Sequence, residues 1–433
     1  METQENLSAS EMIEKGIQFY KGDGVKRKFA TAARYFSQAS KTDPNGVFWY
    51  AKCKFYGNGE KYDPFLAYSL FTKAADQGVI GAKYYKALCL LDGIGVDIDE
   101  KSAFEIFKDL YHNDSFLPAL HQIALCHYYG RGTPYDYNEA FQTFKLATES
   151  DYFLSELYYV SLIQGPEKKE ATKKLKANSE KATKVDSAAQ FEYGKYLKYI
   201  NRSQAIKLIK LAAANHNRDA QCYLAKMYFN VEKWNIEINY EKALKQFKKA
   251  ANHGSYEAML YCGIFKLFYK DYEKTDKKGA AKLIKDAADH RIPDAIFQYG
   301  NLLFNGTGVE KDTKAAIEHY KKAMELGNML ALLRYCHYLV EGKYIEKDIK
   351  EAERNLVYAA NQGCMQAALD YVNLLKSGEI PGVTPEIIQR YYAKGGAIVD
   401  LSIQPNTTEL DTESTNPISD IDKIIVGMNI LFH

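Results

Sequence analysis

A single helical pattern returns about every 36 residues along this chain of 433 residues. Each copy has an alanine, then Phe, Tyr, Leu or Ile four residues later, and in eight of ten copies a second alanine three residues further on. The copies begin at Ala32, Ala67, Ala103, Ala140, Ala171, Ala205, Ala243, Ala280, Ala316 and Ala352. Because a fixed period of this length is typical of stacked repeats that pack on their neighbours, the pattern predicts one elongated array.

Another helix precedes each alanine pattern and is therefore the first helix of the pair. It is marked by one small residue, which lets helix axes approach closely. The small positions are Gly16, Ala51, Ala87, Ala124, Gly194, Ala225, Gly263, Gly300 and Cys336. Six residues later the helix usually stops at glycine, which adopts the left-handed backbone that ends a helix. These glycines are Gly22, Gly57, Gly93, Gly130, Gly165, Gly306, Gly342 and Gly378. The predicted unit is therefore helix, glycine loop, helix; a phosphate-binding loop is disfavoured because the glycines follow helices and not strands.

These residues resemble a known repeat family. Residues 295–312 read AIFQYGNLLFNGTGVEKD and continue to Ala316, Tyr320 and Ala323. This stretch is similar to a Sel-1-like repeat, the relative of tetratricopeptide repeats whose inter-helix loop carries Gly-x-Gly-Val. The resemblance covers roughly residues 11–395 in about eleven units. It implies an all-α fold, a right-handed α-solenoid superhelix that serves as a scaffold or adaptor without catalysis of its own.

The pattern divides the chain into three predicted segments. A short N-terminal lead occupies residues 1–10, the repeat solenoid residues 11–397, and a terminal segment residues 398–433. Units at about 152–240 are irregular and are candidates for a hinge or a binding seam. Unit five has Tyr159 at its small position and a lysine-rich run at 168–184. Glutamates interleave with these lysines, so a solvated helix face is favoured over a patch for an anionic partner.

The terminal segment has two parts. Residues 401–422 contain acidic residues but no Lys or Arg, a composition typical of an acidic linker. The linker leads to residues 424–432, an apolar segment too short to span a bilayer. This segment is interpreted either as a cap on the last repeats or as a motif that docks on another protein.

Charge and hydropathy limit the partners. The formal net charge of +2 gives no reason to expect nucleic acid or an anionic membrane as the main partner. The first residues lack the apolar segment of a signal peptide, and no stretch approaches the roughly 18 apolar residues of a spanning helix. The chain is therefore interpreted as a cytoplasmic protein, without membrane insertion, whose partners are other proteins. Its oligomeric state is left open.

The sequence offers no motif for catalysis, and neither a cofactor nor a metal is expected. Cys53, Cys89 and Cys126 recur at equivalent positions about one solenoid step apart, so they are interpreted as buried free thiols. The histidines recur in the same way near the ends of second helices, at His216, His253 and His290. The same spacing is expected to keep them apart, and the helix dipole is expected to favour their imidazolium form.

A row of side chains on the first helices is the predicted partner-binding surface. It lies two residues before and one residue after each small position, on the concave side of the solenoid, and it mixes aromatic, amide and charged groups. The row comprises Tyr223, Lys226, Tyr261, Gln298, Asn301, Arg334, His337, Asp370 and Asn373. The favoured function is a non-enzymatic scaffold or adaptor that binds peptides or helices along this row.

The resemblance also leaves alternatives open. The family includes subunits that recruit clients to membrane-bound ubiquitin ligases, activators of cell-wall synthases, and bacterial proteins that meet host factors. The alternative function is therefore a regulatory subunit of an enzyme complex, such as a ubiquitin ligase or a synthase activator. A weaker alternative is an effector exported without a cleaved signal.

Overall fold

A computed structural model of the chain describes residues 7–229, 234, 236–268, 276–380 and 384–394. The described residues form 22 α-helices and one short 3-10 helix, which pair into eleven helix–loop–helix repeats. The predicted all-α solenoid is therefore confirmed. The terminal segment at 398–433, with both of its interpretations, lies outside the described residues.

The chain divides into two compact units at Ala258 and Met259, and the boundary falls inside helix α15. The helices of the first unit are α1 Ala9–Lys21, α2 Phe29–Ala39, α3 Pro44–Tyr56, α4 Pro64–Asp76, α5 Ile80–Asp92, α6 Glu100–Asp114, α7 Leu117–Tyr129, α8 Tyr137–Glu149, α9 Phe153–Leu162, α10 Glu167–Val185, α11 Ser187–Tyr196, α12 Arg202–Ala214, α13 Arg218–Tyr228 and α14 Tyr240–Asn252. A 3-10 helix, Leu197–Tyr199, follows α11.

Helix α15 is Tyr256–Phe268. The further helices of the second unit are α16 Lys277–Asp289, α17 Pro293–Asn305, α18 Thr313–Glu325, α19 Met329–Glu341, α20 Ile349–Asn361, α21 Met365–Lys376 and α22 Pro385–Lys394. The predicted division into a lead, a solenoid and a terminal segment stays a prediction.

The repeated residues act at helix ends as predicted. Six of the eight predicted glycines are C-caps with left-handed backbone, and Gly306 is one of them, with φ 69°. At Gly165 and Gly378 the helix ends earlier, at C-caps Ile163 and Ser377. The second helix of a repeat commonly starts at an aspartate, as where Asp312 accepts a hydrogen bond from the Ala315 amide at 2.9 Å. Such a cap satisfies a backbone donor at the helix start.

Small residues and rings fill each helix pair in a complementary way. Ala32, Phe36 and Ala39 of the alanine pattern in α2 are at most 1% exposed. A Cβ added at Gly16 of α1 would overlap the ring of Phe36. The small position therefore leaves room for the large member of the alanine pattern.

The second glycine of a loop has its own packing reason. Gly132 has φ 71°, and a Cβ there would overlap the carbonyl group of Glu100 at the start of α6 in the preceding repeat. A side chain at this position would therefore push the loop away from its neighbour.

Repeat five departs from the others as the sequence indicates. Its first helix, α9, has 10 residues and its second, α10, has 19, whereas most helices of the chain have 13. The lysines of the predicted run on α10 are exposed, as both a solvated face and a patch for an anionic partner require, so the preference for a solvated face stays a prediction. On the inner side of α10, Asn178 donates to the carboxylate of Glu156 at 2.8 Å, and Glu156 is 2% exposed.

The first unit winds far enough to contact itself. Arg27, in the loop of repeat one, donates from Nη1 to Oδ1 of Asn215 at the end of repeat six, at 3.0 Å. The ring of Phe29 meets the ring of His216 at 4.8 Å between centroids. The hydroxyl of Tyr62, in the loop of repeat two, lies 3.2 Å from that of Tyr256, the first residue of α15 in repeat eight. Repeats separated by five or six places therefore touch, and we call these interactions the turn contact.

Two histidines of neighbouring repeats correct the prediction that the repeat spacing keeps such rings apart and charged. The rings of His216 and His253 lie 5.2 Å apart, so the unit spacing does not separate them. Burial, helped by the charges of Arg27 and Lys249, lowers the pKa of His216. Burial and the neighbouring His216 lower the pKa of His253 to about 4. The expected imidazolium form is therefore wrong at these two positions, because the cost of burying charge exceeds the helix dipole's benefit.

The third histidine behaves as a helix cap. His290 is the C-cap residue of α16. Its Nδ1 lies 2.7 Å from the carbonyl oxygen of Asp286. This histidine therefore satisfies a carbonyl in the last turn of the helix, as predicted.

Candidate partner-binding groove

The exposed members of the predicted row all lie in the second unit. Arg334, His337 and Asn373 are exposed, and Asp370 is half-buried. Gln298 and Asn301 of α17 are half-buried and hydrogen-bonded to each other. Asn301 also accepts from the Tyr320 hydroxyl at 2.9 Å, so its amide has a fixed orientation.

Helices α19 and α21 form a groove that brings together three residues of the row. The groove has a volume of about 270 Å³, and Leu356 of α20 reaches it between the two helices. Its polar lining is His337, Asp370, Asn373 and Ser377. Its apolar lining is Leu333, Cys336, Val340, Leu356 and Leu374. This volume is just below the roughly 300 Å³ at which sites for drug-sized ligands begin, so the groove is sized for one or two side chains.

Asp370 is the main electrostatic feature of this groove. Burial raises the pKa of its carboxyl, an effect opposed by a hydrogen bond from Gln366 and by the charge of His337. Gln366 donates from Nε2 to Oδ1 at 2.8 Å. Among the described residues, no lysine or arginine forms a salt bridge with Asp370. A carboxylate in this setting attracts a cation, since a cation lowers the cost of its partial burial.

His337, which lines the groove, and Arg334, three residues before it, each interact with neighbouring side chains. His337 Nε2 is 3.2 Å from the carboxylate of Glu341, four residues further along α19. Arg334 places its guanidinium over the rings of Phe297 and Tyr320, at 5.7 and 5.8 Å from their centroids. Arg334 is therefore held on aromatic surface to one side, and the groove itself presents negative charge.

The row positions before α17 are engaged by the protein's own residues. Tyr261 is 1% exposed. Lys226 Nζ lies 2.9 Å from Glu257, and its side chain is 14% exposed. The hydroxyl of Tyr223 accepts from the indole of Trp234 at 3.3 Å, and the two rings are in edge-to-face contact. These three residues offer little surface to a partner.

The inner row of the first unit is filled in a similar way. Lys52 occupies the same place in repeat two as His337 in repeat ten, one residue after the small position. Its Nζ lies 4.4 Å from the Trp49 ring and 5.3 Å from the Tyr85 ring. Burial lowers the pKa of Lys52 to about 8. The guanidinium of Arg218, from repeat seven, lies 5.3 Å from the ring of Phe55.

Sequence reasoning missed the apolar lining of the groove. Leu356 belongs to the alanine pattern; it is 2% exposed and also lines the groove. Leu333 and Val340 lie one turn from Cys336 and His337, so helical spacing from the row would have found them. The width of the gap between α19 and α21 has no sequence signal.

The cysteines are free thiols, and most of them are buried. All seven cysteines lie among the described residues and are free. Burial raises the pKa of the Cys53, Cys89 and Cys126 thiols to about 12. Within the described ranges, no group of three or more His, Cys, Asp or Glu side chains is placed to hold a metal ion. None of the described helices has both the length and the apolar character needed to cross a bilayer.

Eleven stacked helix pairs with glycine loops define an α-solenoid repeat protein. The chain belongs to the Sel1 repeat family. The family's repeat matches more than half of the chain, at residues 16–41, 44–79, 82–108, 117–152, 188–217, 218–255, 293–328 and 330–364. Repeats five, eight and eleven lie outside these ranges, and repeat five is also the one with the long second helix. Folds of this kind typically serve as protein-interaction scaffolds.

Several solved structures are similar to the chain. A protective antigen of uropathogenic Escherichia coli strains, with an SLR fold, is 22% identical over 89% of this chain and 83% of that chain, with a TM-score of 0.43. A Sel1 repeat protein from Oxalobacter formigenes is 19% identical over 76% of this chain and 93% of that chain, with a TM-score of 0.38.

Yeast Tom70 is 14% identical over 88% of this chain and 98% of that chain, with a TM-score of 0.40. These three TM-scores are below 0.5, so nothing about partners follows from them. No curated protein matches the chain in sequence.

Proposed function

We propose that this protein is a non-catalytic interaction scaffold that binds an extended peptide or a helix of another protein in the groove between α19 and α21. The observation that carries the proposal is the convergence of His337, Asp370 and Asn373 on one groove with apolar walls. Apolar walls supply affinity, and a few polar groups fix the orientation of the bound segment.

The turn contact within the first unit supports different roles for the two units, with the first as a rigid support and the second as the binding part. The turn contact joins repeat one to repeat six and repeat two to the start of α15, and the inner-row residue Lys52 packs against aromatic rings of the chain itself. Rigid, self-packed repeats suit a support, and an open groove suits a binding site. The proposed location is the cytoplasm, supported by seven free cysteines, since oxidising compartments favour disulfides.

A pull-down with a blocked groove tests the proposal. Asn373 is exposed on the groove wall, so Asn373→Trp fills the groove without disturbing the core. Lys321→Trp, at an exposed position of α18, is the matched control. We expect partners captured by the wild-type chain from a cell lysate to be lost with Asn373→Trp and kept with Lys321→Trp.

Equal capture by all three chains would reject the groove as the binding site. Recovery of one enzyme in stoichiometric amount, dependent on Asn373, would identify the scaffold as a regulatory subunit of that enzyme.

A further inference from the structure

The groove between α19 and α21 combines two features that together select one kind of side chain. Four aliphatic residues line it, Leu333, Val340, Leu356 and Leu374. A single carboxylate, Asp370, is half-buried at the same place, with Gln366 as its hydrogen-bond donor. Long basic side chains have an aliphatic stem and a charged head, so they match an apolar wall that ends in a carboxylate.

We propose that the groove recognises a lysine or arginine next to an apolar residue in an extended partner segment. This inference rests on the proposed function and deepens it. The aliphatic stem of the basic residue lies along Leu333 and Leu374, and its cationic head pairs with Asp370. The neighbouring apolar residue contacts the aliphatic wall, while the amide of Asn373 is placed to hydrogen-bond the partner's backbone.

The charges around the groove favour this partner over an acidic one. Asp370 and Glu341 are both carboxylates on or beside the groove, and His337 pairs with Glu341. Burial of Asp370 already raises its pKa, so a second carboxylate brought beside it would add like-charge repulsion in a partly dry site. An acidic segment is disfavoured for this reason, whereas a basic head relieves the cost of burying Asp370.

The size of the groove sets the number of side chains it takes. Its volume of about 270 Å³ matches one long side chain and part of a neighbour, not a folded domain. Affinity for an isolated segment is therefore expected to be weak, and specificity comes from the charge pair.

A peptide library tests the recognition of the basic residue. Phage-displayed random decapeptides are selected on the full chain, on Asp370→Asn and on the charge control Glu325→Gln, an exposed position on α18. Asparagine retains the shape of the side chain and a carbonyl oxygen for Gln366. We expect Lys or Arg beside an apolar residue to be enriched on the wild-type chain and on Glu325→Gln. On Asp370→Asn we expect that preference to disappear.

Individual selected peptides measure how much Asp370 contributes to the affinity of the groove. By fluorescence anisotropy, we expect a fluorescein-labelled selected peptide to bind Asp370→Asn about tenfold more weakly than wild type, and to bind more weakly as salt is raised. The same peptide with norleucine in place of lysine is expected to bind wild type and Asp370→Asn equally.

Four outcomes would overturn the inference. Selected peptides without a basic residue that are still blocked by Asn373→Trp would leave the scaffold function standing and refute the charge preference. A basic preference that persists on Asp370→Asn would place the cation elsewhere. The chain itself carries Lys423 before the apolar segment 424–432; a tenfold gain in peptide affinity on deleting residues 420–433 would make that segment the occupant. If no peptide depends on Asn373, the proposed function fails as well.

Discussion

Substituting one glycine should reveal the turn contact of the first unit. Gly254 follows α14 with φ 85°, and an added Cβ would lie 2.5 Å from Cζ of the Tyr62 ring, five repeats earlier. Gly78 follows α4 at the equivalent position, also with φ 85°, and its added Cβ meets no described atom within 4 Å. Gly254→Ala and Gly78→Ala therefore carry the same backbone strain, and only the first adds a clash across the turn contact.

The expected loss of stability follows from this difference between the two variants. Left-handed backbone costs an alanine roughly 1–2 kcal/mol, and this term is common to both variants. Overpacking a fitted contact costs a further 1–3 kcal/mol, roughly, and this term is confined to Gly254→Ala. The Tyr62 ring cannot move away freely, because its hydroxyl lies 3.2 Å from that of Tyr256. We therefore expect Gly254→Ala to be about 1–3 kcal/mol less stable than Gly78→Ala.

Tryptophan fluorescence during urea unfolding measures this difference in stability in the first unit, which contains the turn contact. Both tryptophans, Trp49 and Trp234, lie in the first unit, so the signal reports that unit. The expected extra destabilisation lowers the urea midpoint by roughly 0.3–1 M relative to Gly78→Ala.

A double variant isolates the clash. In a Tyr62→Ala background, the extra cost of Gly254→Ala should disappear, because the two residues interact directly. Equal midpoints for Gly254→Ala and Gly78→Ala would refute the turn contact, as would an extra cost that survives the removal of Tyr62.

Two further predictions concern buried titratable groups. Burial lowers the pKa of His121 to about 3, below the unfolded value of about 6.5, so the unfolded chain binds more protons between these values. Stability should fall as pH falls from about 6.5, by on the order of 3 kcal/mol at pH 4. His121→Gln should flatten this slope in urea titrations at several pH values, and an unchanged slope would contradict the assignment. Native chain treated with iodoacetamide at pH 8 should be modified at half-buried Cys364 first, since the other six cysteines are buried. Mass spectrometry checks this, and early labelling of Cys53 would count against the packed core.

Local pattern was enough to predict the repeats. The alanine pattern, the small position and the glycine cap each act within one helix pair or between neighbours, as Gly16 and Phe36 show. Such short-range requirements recur at the repeat period, so they can be recognised in a single sequence. The irregularity of repeat five could be recognised for the same reason.

Contacts between distant repeats were not predictable in this way. The ring of Phe29 in repeat one meets that of His216 in repeat six at 4.8 Å between centroids, and no pattern in the sequence indicates this contact. Repeats one and six meet because each repeat is rotated slightly relative to the one before it, and these rotations add up along the chain. No single residue determines the total rotation.

The candidate site shows the same division. The sequence determined the helix pairs and the register of the row. It therefore determined which side chain follows each small position by one residue. It did not determine which of them remain accessible: Lys52 and His337 share that register, yet one packs among aromatic rings and the other lines an open groove. Helical periodicity depends on bonds a few residues apart, whereas exposure depends on what lies opposite, and only the tertiary structure decided that.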